Sequence, residues 1–292
     1  MSDPLYGCIE AGGTKFVCAV GRSPETLSEP VHIPTTDPAT TLTAVVDYFR
    51  RMPRVDAFGI ASFGPADVDP ASPRFGNILK TTKPGWSNTQ LRKTIAEAFG
   101  VPVGFDTDVI GAALAEAEWG AAAGQSVAIY VTVGTGIGAG AVIGGQALHG
   151  KHHPEMGHIF PRRHPADLEF PGCCPFHGDC LEGLAAGPAI LKRWGASLSH
   201  LAADHIAHEV IAYYLGQLAI TLIAVTSAQV IVFGGGVLGT PGLLARIRTV
   251  VAAHNHGYWG EDDDIGHILH APGLGTKAGL CGGLILARRA LG

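Results

Sequence analysis

Charge is scarce in this chain. Only 15% of its 292 residues are Asp, Glu, Lys or Arg, and they balance to a mild net charge of −5. That argues against broad affinity for nucleic acid or for an anionic membrane surface. No Gly-x-x-x-x-Gly-Lys-[Ser/Thr] string occurs, so a Walker-type phosphate loop is excluded. The opening Met1-Ser2-Asp3-Pro4 offers neither a basic stretch nor an apolar run, so no secretory signal is expected and a cytoplasmic protein is. Cysteine is sparse too, six in all. In a chain without a secretory signal such residues bind metal or stay reduced more often than they form disulfides.

Charge vanishes altogether from Val210 to Ala245, a stretch that a hydropathy window scores as membrane-like. Gln217, Thr221, Thr226, Ser227 and Gln229 interrupt it, however, and Gly234-Gly235-Gly236 ends any helix. The stretch reads as a helix to about Thr226, a buried strand Val230–Phe233, and a glycine turn. A membrane span is not expected.

Glycine, by contrast, is abundant, with 41 residues. A chain of this length holds two sizeable cores, and the composition points to an α/β protein with many tight turns. Short apolar runs bounded by Gly or Pro predict strands at Leu5–Ile9, Phe16–Val20, Val55–Ser62, Val101–Phe105, Val127–Val133 and Ala141–Ile143. Ala112–Trp119 has helical composition. The first two strands flank Glu10-Ala-Gly-Gly-Thr-Lys15, and Val127–Ile143 repeats the plan around Gly134-Thr-Gly-Ile-Gly138. Two similar hairpins about 120 residues apart suggest two related lobes facing each other across a cleft. Further glycine turns are expected at Gly234–Gly236 and from Gly273 to Gly283. Such turns expose backbone N–H groups and let a phosphate approach closely. Gly134-x-Gly136-x-x-Ala139 formally matches a dinucleotide fingerprint, but strand follows it where a helix is required, so an NAD site is discounted.

Half of the cysteines fall between Cys173 and Cys180. Cys174-x-x-His177-x-x-Cys180 places three soft or borderline ligands where a tight loop can wrap one ion, and His158 can supply a fourth. Sulfur and imidazole in a four-coordinate shell favour Zn²⁺ over Mg²⁺ or Ca²⁺. Asp106 and Asp108 lie where a strand runs into a helix; either is a candidate catalytic carboxylate, and one of them is a candidate helix cap. If the strand continued, both would point the same way. Glu155 and Glu182 flank the metal candidates and suit sugar hydroxyls as hydrogen-bond acceptors, or stand as surface charges.

Together these residues resemble the ROK family of sugar kinases over essentially the whole chain, its bacterial fructokinase branch most of all. Glu10-Ala-Gly-Gly-Thr-Lys15 is similar to the family's first phosphate motif, and Gly134-Thr-Gly-Ile-Gly138 to its second. Ser62-Phe-Gly-Pro65 and Thr82-Lys-Pro-Gly-Trp86 resemble segments shaping the sugar side. Thr107-Asp108-Val109-Ile110 aligns with Asn-Asp-x-Asn, which makes Asp108 the matching base; Thr107 and Ile110 depart from the pattern. Glu155-x-x-His158 fits Glu-x-Gly-His, Glu182 fits the glutamate after the last zinc cysteine, and Cys174-Pro-x-His177-Gly-x-Cys180 is the fructokinase-type zinc loop.

The resemblance implies a two-lobed, actin-like (ribonuclease H-like) α/β fold. One lobe would cover residues 1–113, rejoined by a C-terminal helix at 280–292, and the other 114–279 with the zinc loop at 158–180. It implies ATP-dependent phosphorylation of the 6-hydroxyl of a free hexose, fructose first, by a cytoplasmic homodimer. Gly12, Gly13, Thr14, Lys15, Gly134, Thr135, Gly136 and Gly138 would hold ATP phosphates, and Gly234, Gly235 and Gly236 the adenosine. Gly64, Thr107, Asp108, Glu155, His158 and Glu182 would meet the sugar. Mg²⁺ would accompany ATP with help from Glu10, and structural Zn²⁺ would sit on His158, Cys174, His177 and Cys180. The alternatives are a glucose, mannose or N-acetylhexosamine kinase of the same family, or a weakly catalytic sugar sensor. Because the first phosphate motif begins at residue 10, no DNA-binding helix-turn-helix is expected ahead of it.

Overall fold

The apolar runs at the start of the chain pair as the sequence predicts. β1 (Tyr6–Ala11) and β2 (Lys15–Gly21) form an antiparallel hairpin, and β3 (Val31–Pro34) extends it. These pairings come from a computed structural model that describes residues 3–260 and 262–292. Helix α1 (Pro38–Arg50) opens with Asp37 accepting the Thr40 N–H, and Pro38 in the first turn needs no donor of its own. β4 (Ala57–Ser62) lies parallel to β1. Helix α2 (Leu91–Phe99) ends at Gly100, whose φ of 65° is the left-handed stop that glycine adopts cheaply. β5 (Val103–Thr107) then lies parallel to β4, and α3 (Asp108–Trp119) follows directly. The first sheet runs β3-β2-β1-β4-β5.

β6 (Val127–Val133) and β7 (Ile137–Ile143) form the second hairpin. The two-residue β8 (Gln146–Ala147) opens a segment grouped with the first unit. Helices α4 (Leu181–Ala185), α5 (Gly187–Trp194) and α6 (Ala207–Thr226) precede β9 (Val230–Gly234), which is parallel to β6. α7 (Leu243–Asn255), α8 (Asp262–His267), β10 (Leu269–His270) and α9 (Ala278–Leu291) complete the chain. In the second sheet β10-β9-β6-β7 repeats the order and directions of β5-β4-β1-β2. The expected α/β fold of two related sheets is therefore what the chain adopts.

One unit comprises Met1–Ala115, Gln146–His153 and Thr276–Gly292; the other comprises Glu116–Gly145 and Pro154–Gly275. In the first, Phe16, Phe49, Phe58, Ile60, Trp86 and Ile95 lie in a buried cluster. Trp86, expected near the sugar, is a core residue: its indole N–H donates to Thr36 O at 2.7 Å, and its ring lies beside Phe16 and Phe63. In the second, α6 is long and apolar enough to cross a membrane, yet Val210, Ile211, Tyr214, Leu215 and Leu218 on it are fully buried within the protein. A long apolar helix of this kind, with Glu209 confined to its first turn, is a core helix here.

Three local expectations are corrected, and one open condition is decided. Glu10 and Ala11 belong to β1, so the first turn is only Gly12–Thr14. Gly138 and Gly140 belong to β7, paired with Thr132 and Tyr130, so the second turn is only Gly134–Gly136. The strand does not continue through Asp108, which is the first residue of α3, so Asp106 and Asp108 do not share a strand face. Gly279, Gly282 and Gly283 are helical, not part of a turn. The reason is close packing on the first sheet: a Cβ on Gly59 of β4 would lie 1.9 Å from Gly283 O. Glycine lets helix and strand backbones approach where any side chain would separate them.

Candidate active site and metal centre

In the first unit, three parallel strands end in register. Ala11 pairs with Ser62, and Ser62 with Thr107, so the chain leaves β1, β4 and β5 side by side. Each strand leads into a candidate site element: β1 into the Gly12–Thr14 turn, β4 into the Phe63–Pro65 loop, and β5 into Asp108. Carboxyl ends of parallel strands are where α/β proteins gather ligand-binding groups.

The Gly12 N–H donates to Lys15 O at 3.0 Å, closing the turn, and the Thr35 hydroxyl donates to Gly12 O at 2.7 Å. Gly13, Thr14 and Lys15 are exposed. Asp108 is half-buried, and its Oδ1 accepts the Val109 N–H at 2.9 Å. The helix cap is Thr107, whose hydroxyl accepts the Ile110 N–H at 3.3 Å. Asp106 is buried and accepts the Thr107 N–H at 2.8 Å. Glu10 ends up near Asp108. Burial lifts its carboxyl to about 7, the Asp108 charge adds to the rise, and Lys15 opposes it. Two neighbouring carboxylates with one nearby lysine form a donor set suited to a hard divalent cation.

In the second unit the Gly134 N–H donates to Gly136 O at 2.9 Å, leaving Thr135 exposed at the tip. Thr132 pairs with Gly234, which brings this turn beside Gly235 and Gly236. Those two are exposed, whereas Gly234 is buried at the end of β9. Glu182 joins the glycine turn to the cysteine loop: its Oε2 accepts the Ile137 N–H at 3.0 Å. Sequence reading missed this bond, because nothing local links positions 45 residues apart.

The four metal candidates converge. His158, Cys174, His177 and Cys180 present ligand atoms that all lie within 4.8 Å of one another. The two Nδ1 atoms are 3.3 Å apart, and His158 Nδ1 is 3.4 Å from Cys180 Sγ. Cys174 Sγ is 3.8 Å from each imidazole Nδ1. The edges of a tetrahedron with zinc–ligand bond lengths are roughly 3.3 Å for N–N and roughly 3.6 Å for N–S. The group thus has the shape that holds one tetrahedral ion. His158 reaches it through Nδ1, and its Nε2 lies 3.9 Å from the exposed Glu155. Gly157 between them is required by packing, since a Cβ there would lie 1.8 Å from Ile137 O.

The family model that describes ROK proteins matches residues 6–290. This chain belongs to the ROK family. Within that family it is 48% identical over 290 residues to a fructokinase of Zymomonas mobilis, covering 97% of this chain and 96% of that protein. It is 42% identical to a fructokinase of Pediococcus pentosaceus, covering 98% and 99%. Among solved ROK structures, a hexokinase from Thermus thermophilus superposes with a TM-score of 0.79 at 29% identity, covering 98% of each chain.

Proposed function

We propose that this ROK protein is an ATP-dependent fructokinase that phosphorylates the 6-hydroxyl of free D-fructose. The observation that carries the substrate is the 48% identity, along nearly the whole chain, to a protein named fructokinase. The in-register ends of β1, β4 and β5 support the chemistry, because they set a phosphate-type turn, a sugar-side loop and a carboxylate next to one another.

Asp108 is the general base. The Val109 N–H orients its carboxylate, which takes the hydroxyl proton as the sugar oxygen attacks phosphorus. Backbone N–H groups of Gly13 and Thr14 in the first turn and of Thr135 and Gly136 in the second, with Lys15, bind the phosphates; Gly12, Gly134 and Gly138 shape those turns, and Gly234–Gly236 flank the adenosine. Phosphoryl transfer needs little covalent help, so these groups act by positioning and charge neutralisation. Magnesium bound with ATP neutralises phosphate charge, and Glu10 helps hold it. Gly64, Thr107, Glu155, His158 and Glu182 contact the hexose. Zinc on His158, Cys174, His177 and Cys180 is structural, since four protein ligands leave no open position for a reactive water. The family resemblance supports a cytoplasmic homodimer.

The test is ADP release across a panel of fructose, glucose, mannose and N-acetylhexosamines, run on the wild type and on Asp108→Asn. Fructose should give the highest kcat/KM. The variant should lose ~10²–10⁴ in kcat while keeping sugar binding. Preference for another hexose would overturn the substrate, and near-normal turnover by the variant would overturn the base.

A further inference from the structure

The segment Gln146–His153 is grouped with the first unit, although the residues on either side of it belong to the second. It carries two histidines that reach the sugar-side elements of the first unit. His149 Nε2 lies 3.1 Å from Asp106 Oδ1, at the end of β5 and two residues before Asp108. His153 is buried, and its Nε2 lies 3.2 Å from the backbone nitrogen of Ala66, just after the Phe63–Pro65 loop.

Hydrogen-bond accounting shows what the second contact does. The loop is held at its start by Phe63 N–H donating to Ala11 O at 2.7 Å. At its last residue, Pro65 O accepts the Leu79 N–H at 2.7 Å. The Ala66 N–H is buried and donates to a side chain 87 residues along the chain. A backbone N–H can only donate, so Nε2 of His153 must be the bare nitrogen of the ring. An aliphatic side chain at that position would leave a buried donor unmade, which costs more than an ordinary hydrogen bond contributes. The imidazole also packs on Gly64: a Cβ there would lie 3.5 Å from the ring.

Asp106 has a comparable constraint. It is buried, and Oδ1 accepts both the Thr107 N–H and His149. Its bond lifts the His149 imidazole above its ordinary value, so the ring keeps a proton to donate. Neither histidine stands in a motif of the family resemblance.

We propose that His149 and His153 are positioning residues for the hexose, clasping the end of β5 and the Gly64–Pro65 loop so that both present a fixed sugar-binding face. This rests on the fructokinase reading, because it takes those two elements to be the sugar side. Neither histidine touches the reacting atoms; each acts through the group it holds.

The experiment compares His153→Leu, His153→Gln and His149→Leu with the wild type by steady-state kinetics and by amide hydrogen exchange at Ala66. Gln can accept the Ala66 N–H, and Leu cannot. His153→Leu should raise the KM for hexose roughly tenfold while that for ATP stays within about twofold. Ala66 exchange should accelerate in the same variant, and His153→Gln should restore both. His149→Leu should raise the hexose KM selectively and leave Ala66 exchange unchanged. An unaltered hexose KM in both Leu variants overturns the proposal. So does an equal loss for hexose and ATP with a lowered melting temperature, the mark of a purely structural role. A wild type that phosphorylates no hexose sinks the fructokinase reading on its own, and Ala66 exchange still decides the clasp. Protection lost with Leu and regained with Gln upholds it, and unchanged protection overturns it.

Discussion

The Glu182 carboxylate accepts the Ile137 N–H at 3.0 Å while standing two residues after Cys180 of the metal cluster. One side chain thus ties the cysteine loop to the first residue after the second glycine turn. A Cβ on Gly136 would lie 2.6 Å from the same carboxylate oxygen, so the turn and the glutamate fit as one unit. Glu182→Ala strands the Ile137 N–H and should cost about 1–3 kcal/mol of stability. Glu182→Gln keeps an acceptor and should recover most of it. Urea denaturation of the two variants decides this; equal losses would mean that the bond contributes little.

A second prediction concerns α9. Gly59→Ala would drive a methyl group to 1.9 Å from the Gly283 carbonyl oxygen, where only backbone can give way. Overpacking costs of about 1–3 kcal/mol are usual when flexible side chains can move aside. Here helix and sheet must separate, so the loss should reach about 3 kcal/mol or more. Thermal unfolding measures it, and a variant as stable as the parent would refute the close approach of α9 to β4.

These glycines show where the sequence was readable and where it was not. Strand composition and the Gly-Thr turns marked β1, β2, β6 and β7 because those signals are local. The metal ligands were legible because Cys174, His177 and Cys180 lie within one short loop. Glycines after residue 273 read as a turn because composition cannot separate a glycine needed for φ from one needed for close packing. Gly282 and Gly283 are the second kind: Gly283 packs on β1 and β4, and Gly282 on Gly111 of α3, all far away in sequence. Whether the strand continues through Asp108 was not legible, because the switch to helix is made by the Thr107 hydroxyl, a single cap that apolar patterning does not register. The bonds from Glu182, His149 and His153 were invisible because they are long-range contacts between polar groups.

The metal cluster predicts its own dependence. The purified protein should contain about one equivalent of zinc by elemental analysis. Cys174→Ser replaces a thiolate ligand with a poor one and should lower both zinc content and melting temperature. Strong chelation should destabilise the wild type in the same direction, because metal-binding free energy at a closed site is also folding free energy. A zinc-free protein that is folded and active would remove the structural assignment.

Glu10 predicts a pH dependence whose sign follows from its environment. Folded, it holds its proton up to about pH 7; unfolded, it releases it near the ordinary 4.5. Between those values the folded chain binds the extra proton, so this group's contribution to stability falls as pH rises. Above pH 7 the whole penalty is present, about 3 kcal/mol for a shift of this size. Glu10→Gln removes the titrating group, so the variant should be the more stable protein at pH 8, and the difference should shrink steadily toward pH 4.5. Groups not coupled to Glu10 cancel in this comparison. Because the Asp108 charge adds to the rise, Asp108→Asn should move the midpoint of the effect to lower pH. Chemical denaturation of the parent and the two variants from pH 5 to pH 8 measures all three curves. A difference between parent and Glu10→Gln that does not change with pH would show that the carboxylate stays charged in the fold, and that its coupling to Asp108 is weak.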